Sequence, residues 1–181
     1  GQGVLSAGQR QIEHAGKAIL TLDPDEGLIA DPYYAAGYIV FRRRRPDATP
    51  PGNELVACAW KPGQAASVDV ATGIPLPLGT PRAFIYAYGQ LGQRVLAASN
   101  IGGVHVFDAS TRQWSSLRTT DGKSFQIYAA INYEDRLLLG QYPTGELFEF
   151  DGTGLRHLPG WPPVMSGVRS SAREAQTLTI Y

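Results

Sequence analysis

Residues 81–117, PRAFIYAYGQLGQRVLAASNIGGVHVFDASTRQWSSL, are echoed by residues 124–158, SFQIYAAINYEDRLLLGQYPTGELFEFDGTGLRHL. Ile85-Tyr86-Ala87 aligns with Ile127-Tyr128-Ala129, and Arg94-Val95-Leu96 with Arg136-Leu137-Leu138, both at a spacing of 42 residues. After one inserted residue, Phe107-Asp108 aligns with Phe150-Asp151. Register kept over this length marks an internal repeat, the first thing a fold reading must satisfy. Each unit divides into four short runs rich in Val, Ile, Leu, Phe and Tyr: 84–91, 93–99, 104–108 and 114–120, then 125–132, 136–142, 146–151 and 155–160. Between them stand turn residues: Asn100-Ile101-Gly102-Gly103, Asp108-Ala109-Ser110-Thr111, Pro143-Thr144-Gly145 and Asp151-Gly152-Thr153-Gly154. Alternation bounded by Gly, Pro, Asn and Asp reads as strand, and no segment carries a helical apolar period.

Repeats of roughly 40–50 residues with four strands each are blades of a β-propeller. The expected fold is therefore all-β, a β-propeller of four-stranded antiparallel blades, with about four blades or as part of a larger ring. Working outward, Tyr38–Phe41, Glu54–Trp60, Ser67–Ala71 and Pro75–Leu78 read as an earlier blade over 38–79. Its first two strands flank the loop RRRRPDATPPGN. The segments AILTLD (18–23) and GLIAD (27–31) read as the last two strands of a partial blade over 1–32, with Asp23 where Asp108 and Asp151 fall. The blades proper follow at 84–120 and 125–160. A long connection, 159–175, then leads to QTLTIY (176–181), read as a further innermost strand. Two organisations are open: the last strand completes the partial first blade, or missing blades or self-association complete a larger ring.

The stretch 102–114 is similar to the kelch repeat: Gly102-Gly103, the strand Val104-His105-Val106-Phe107-Asp108, then Thr111 and Trp114. The second unit keeps Gly145, Phe150 and Asp151 but has His157 at the tryptophan position and lacks the double glycine. Its LFEFDGTG more resembles the looser propeller repeats of bacterial sensor and secreted proteins. The resemblance implies a fold and no activity, since kelch-like propellers include binding scaffolds, oxidases and lyases.

Composition narrows the function classes. Of 181 residues, sixteen are basic and sixteen acidic, so no net field steers the chain to nucleic acid or to an anionic membrane. No apolar run has membrane-spanning length. The start, GQGVLSAGQRQ, does not read as a signal peptide, although an extracytoplasmic setting is slightly favoured over a cytoplasmic one. The single cysteine, Cys58, excludes an internal disulfide and lies in an apolar run that predicts burial. No zinc spacing, phosphate-cradling glycine loop or nucleophile elbow occurs, so no cofactor, metal or catalytic residue is assigned. His105 is expected to pack on a blade face, Asp108 and Asp151 to fix turns, and Trp114 to pack between blades. Arg42–Arg45 read as a solvated strand end entering a loop, with an anion or acidic partner as the alternative.

A site, if carried, is expected where the loops between second and third strands meet those between blades. In this sequence that set holds Trp60, Lys61, Asn100, Gln141, Tyr142, Thr120–Lys123 and the long connection with Trp161, Arg169 and Arg173. Aromatic platforms mixed with amides and cations suit a protein or glycan partner. The leading expectation is a non-catalytic binding module. The alternatives are a portion of an extracellular carbohydrate-active enzyme of the polysaccharide-lyase kind, and a structural segment of a larger sensor or assembly.

Overall fold

A computed structural model describes residues 5–47, 51–118, 125–160 and 175–179. Among these, the chain is all-β and of the propeller type, built from up-and-down antiparallel blades. No helix of the described residues is long and apolar enough to cross a membrane. The chain divides into two compact units, Gly1–Ala83 with Thr111–Gln113, and Phe84–Ser110 with Trp114–Tyr181.

The first unit holds a three-stranded sheet of β1 (Leu5–Ala7), β2 (Gln11–His14) and β3 (Lys17–Thr21), in that order. Beside it in sequence is a four-stranded sheet of β4 (Leu28–Ala35), β5 (Tyr38–Arg45), β6 (Gly52–Ala59) and β7 (Ile74–Pro77). Ala15-Gly16 and Ala36-Gly37 close hairpins with both residues at positive φ, the two-residue turn whose twist matches the strands it joins. Ile12, Leu20 and Leu22 pack with Ile39, Phe41, Val56 and Cys58 in one core. Burial pushes the Cys58 thiol up to about 12, so it sits there as a neutral apolar group.

This blade starts about ten residues earlier than the spacing predicts. Its innermost strand is β4, which the sequence assigns to the preceding partial blade; Ser67–Ala71 is no strand and leads into a 3-10 turn at Val70–Thr72. Pro32 reads as a strand breaker, but a bulge between Ala30 and Tyr33, with Asp31 at φ 53, absorbs it. The arginine run is corrected too. β5 runs through Arg45 and β6 begins at Gly52, so all four arginines are strand and not loop. Arg42 is 3% exposed and donates Nε–H to Asp31 at 2.7 Å, while Arg43 and Arg45 both reach the Glu54 carboxylate. Alternation explains the division: odd arginines meet Glu54 on one face, and Arg42 meets Asp31 on the other.

The second unit matches the repeat almost strand for strand. One sheet is β8 (Ile85–Leu91), β9 (Arg94–Ser99), β10 (Val104–Asp108) and β11 (Gln113–Arg118); the other is β12 (Gln126–Tyr133), β13 (Arg136–Tyr142), β14 (Leu147–Phe150) and β15 (Leu155–Leu158). Leu96, Ala98, Val104 and Val106 of the first meet Ile127, Leu137, Leu139 and Phe150 of the second. Each such fully buried Leu or Phe is worth about 2 kcal/mol, against less than about 1 for an exposed ion pair, so this apolar layer sets the stability of the unit. Gly89 permits the close approach: a Cβ there would stand 2.7 Å from Leu137 Cδ1 and 3.3 Å from Ala130 Cβ.

The aspartates act as the repeat predicts. Asp108 accepts the Ser110 N–H at 2.8 Å, and Asp151 accepts from Thr153 N–H, Thr153 O–H and Gly154 N–H. These bonds hold the Asp151 carboxyl down at about 2. The Trp114 ring tilts against Phe107 within its own sheet, centroids 5.2 Å apart. Of the expected terminal strand, residues 176–179 are described and carry no strand. The residue before them, Ala175, hydrogen-bonds Gln141 O and runs so close to Gly140 that a Cβ there would meet the Ala175 carbonyl.

Candidate functional site

The innermost strands β8 and β12 begin at the end of their sheets where β9 and β13 finish, because Ile85 pairs with Ser99 and Gln126 with Tyr142. Each strand carries a one-residue bulge in its first turn of pairing, between Ile85 and Ala87 and between Ile127 and Ala129. The extra residue is a tyrosine both times: Tyr86 and Tyr128. A bulge breaks the alternation that would send the next side chain into the sheet face, and re-aims it. Tyr86 stacks on Tyr128 with centroids 5.1 Å apart and an interplanar angle of 29°, and Tyr128 meets Tyr142 at 5.7 Å. Tyr86 is 46% exposed, and Phe84, two residues before it, is 44% exposed. Three rings thus form a ladder across two blades of the second unit.

The ladder stands on a hydrogen-bonded base. The Tyr128 hydroxyl donates to Gln126 Oε1 at 2.7 Å. Gln141 donates to the Tyr142 carbonyl, and its Oε1 receives the Thr144 backbone N–H at 3.3 Å, closing the turn after β13. The Thr144 hydroxyl lies 2.6 Å from Gln141 Oε1 and 2.7 Å from Glu146 Oε2, so its single proton serves one of them at a time. The other Glu146 oxygen, Oε1, is 3.5 Å from His157 Nε2.

The residues expected at a mouth divide into four groups. Tyr142 joins the ladder. Gln141 is buried and ties the turn, and Asn100 does the same for the next sheet, accepting the Phe84 N–H at 2.8 Å while its own N–H bonds Phe84 O. Trp60 is 3% exposed, its ring edge-on to His14 and Tyr34 in the first unit's core; its backbone N–H donates to Gly37 O, while its indole Nε1 is buried without a partner. The shifted strand assignment explains this: 60–73 joins β6 to β7, so Trp60 and the exposed Lys61 emerge beside the Ala36-Gly37 hairpin, at the other end of their sheet from the Arg45–Gly52 pairing. Trp161, Arg169, Arg173 and Thr120–Lys123 lie outside the described residues.

Tyr86 and Tyr128 were not among the residues expected at a site, although the repeated Ile-Tyr-Ala carries the signal: a large polar-tipped ring held at one register position of successive innermost strands. His105 and Ser116 make a second pairing of chemical interest, Nδ1 to Oγ 2.9 Å. Burial lowers the His105 ring to about 4, and its Nε2 is buried without a partner. An imidazole so disfavoured as a cation is a poor proton acceptor, which makes the pair a packing contact and not a nucleophile with its base. Among the described residues, no three His, Cys, Asp or Glu side chains converge to hold a metal ion. Comparison with known proteins finds no matching family model, no matching curated protein and no matching solved structure.

Proposed function

We propose that this chain is a non-catalytic binding module that recognises a protein or a glycan through the end of the blades where Tyr86, Tyr128 and Tyr142 stand. One observation carries the reading: two successive blades spend a bulge at the same register position to hold a tyrosine, and those rings stack with Tyr86 half in solvent. Repetition of a scaffold explains conserved turns and cores. It does not require an exposed ring, which costs solvation without adding to the apolar layer. Rigid aromatic rings with a polar tip give large contact area at low entropic cost, the composition of recognition surfaces.

The test is a comparison of wild type with a Tyr86→Ala/Tyr128→Ala double variant on glycan and protein arrays. Loss of the wild-type binders with an unchanged unfolding midpoint supports the reading. An undiminished set of binders places recognition elsewhere on the chain and overturns it.

A further inference from the structure

Resting on that reading, we infer that residues 175–179 form a displaceable strap that holds the turn carrying Tyr142, so that seating or releasing the strap sets whether the third ring of the ladder stays in place. Gly140 carries the first part of the argument. In the repeat its position belongs to Ala98, and the two hold the same place in the pairing, Ala98 opposite Ala87 and Gly140 opposite Ala129. Glycine weakens a strand interior, and Gly140 does not adopt the positive φ that would call for it. What it supplies is space. Leu137 and Leu139 face the core shared with the preceding sheet, so alternation turns Gly140 to the opposite face. There a Cβ would collide with the Ala175 carbonyl and stand 2.8 Å from the Ala175 Cβ. The missing side chain makes room for a passing backbone, a recognised use of glycine inside a strand.

The second part is what the strap touches. Ala175 donates its N–H to the Gln141 carbonyl at 3.4 Å. Gln141 is the residue that ties the turn: its N–H donates to Glu146 O at 3.0 Å, its side chain donates to the Tyr142 carbonyl, and its Oε1 receives the Thr144 N–H. Tyr142 follows directly and meets Tyr128 in the ladder. The equivalent turn of the preceding sheet closes with its own residues, Ser99 N–H on Gly103 O at 2.8 Å and Gly103 N–H on Ser99 Oγ at 2.9 Å. The strap is built to leave as well as to stay. A 3.4 Å amide bond is long, residues 175–179 belong to no strand, and Gln176, Thr177 and Thr179 are exposed.

Amide exchange followed by NMR on the full chain tests this without any ligand. Gly140→Ala pushes the strap off, and Ala175→Pro removes its donated N–H without touching β13. In both variants the Gln141 and Thr144 amides should exchange at least tenfold faster than in wild type, while the Ser99 amide of the preceding sheet stays within twofold. If Gly140→Ala alone speeds them, the effect is crowding within β13 and the strap inference is overturned. It falls equally if the amides of 176–179 speed up in Gly140→Ala and those of the turn do not. Neither result touches the ladder as a binding surface, which the arrays with Tyr86→Ala/Tyr128→Ala decide. A binder that those arrays assign to the ladder should weaken threefold or more in both strap variants. Undiminished binding beside a loosened turn would overturn the strap as a control on the site and leave the binding-module reading standing.

Discussion

His105 sits on β10 with its Nδ1 bonded to Ser116 and its Nε2 buried and without a partner. In this setting the ring is neutral, because burial lowers its pKa from 6.5 to about 4. The unfolded chain, holding an ordinary histidine, therefore binds a proton first as the pH falls. The stability this residue contributes is complete above about 6.5 and is lost progressively as the pH drops toward about 4. A shift of that size corresponds to no more than about 3 kcal/mol. His105→Gln retains an amide for Ser116 and does not titrate. Its stability should change less with pH than the wild type's, so that the difference between the two proteins shifts in favour of the variant by up to about 3 kcal/mol between neutrality and about pH 4. Urea midpoints across that window measure it, and parallel pH profiles for the two proteins would refute a buried neutral imidazole.

Strand β5 shows how an element turns a charge run into structure. Arg42 is buried, bonds Asp31 and lies near Asn53, so Arg42→Ala removes a buried charged contact and its packing and should cost about 3 kcal/mol. Arg44, two residues along the same face and only half-buried, should change stability by less than about 0.5 kcal/mol when replaced by alanine. Thermal denaturation of the two variants separates an ion pair built into the blade from a solvated strand end; equal losses would favour the latter. Strand β8 makes a parallel case for packing. Gly89→Ala places a methyl against Leu137 and Ala130, and overpacking of that kind costs about 1–3 kcal/mol, read from the same melts. These elements also show what the sequence could and could not convey. Residues 84–118 and 125–158 were legible because alternation, turn residues and a second copy all agree on one register. β4 was misassigned because only GLIAD read as a strand, and only the pairing with β5 reveals that a bulge between Ala30 and Tyr33 carries the strand on to Ala35. That error carried Trp60 and Lys61 to the wrong end of their sheet. The tyrosine ladder was visible as a repeat and missed as a site, since the face a residue presents after a bulge depends on three-dimensional pairing.

Across the whole chain, charge and edges act together. Sixteen acidic and sixteen basic residues leave no net charge near neutrality, with an isoelectric point near 7.0. Meander sheets leave outer strands, and β11 and β15 present mostly exposed or half-exposed residues along their length. Phe84, Tyr86 and Tyr133 add exposed rings. An uncharged molecule with unpaired strand edges has no long-range repulsion to oppose edge-to-edge association. Moving the pH in the two directions is not equivalent. Acidification supplies positive charge and at the same time removes the His105 contribution, exposing apolar layers as stability falls. Raising the pH to about 9 adds little charge, since the carboxylates are already ionised at neutrality and the Cys58 thiol stays neutral, and it leaves the His105 contribution intact. Self-association at low ionic strength should therefore change little between neutrality and about pH 9 and grow on the acid side, where stability falls. Static light scattering across the range checks this: a second virial coefficient that hardly changes from neutrality to about pH 9, with growing aggregation below about pH 5, is expected. A profile that stays flat below about pH 5 as well would mean that losing the His105 contribution exposes no apolar layer or strand edge to association.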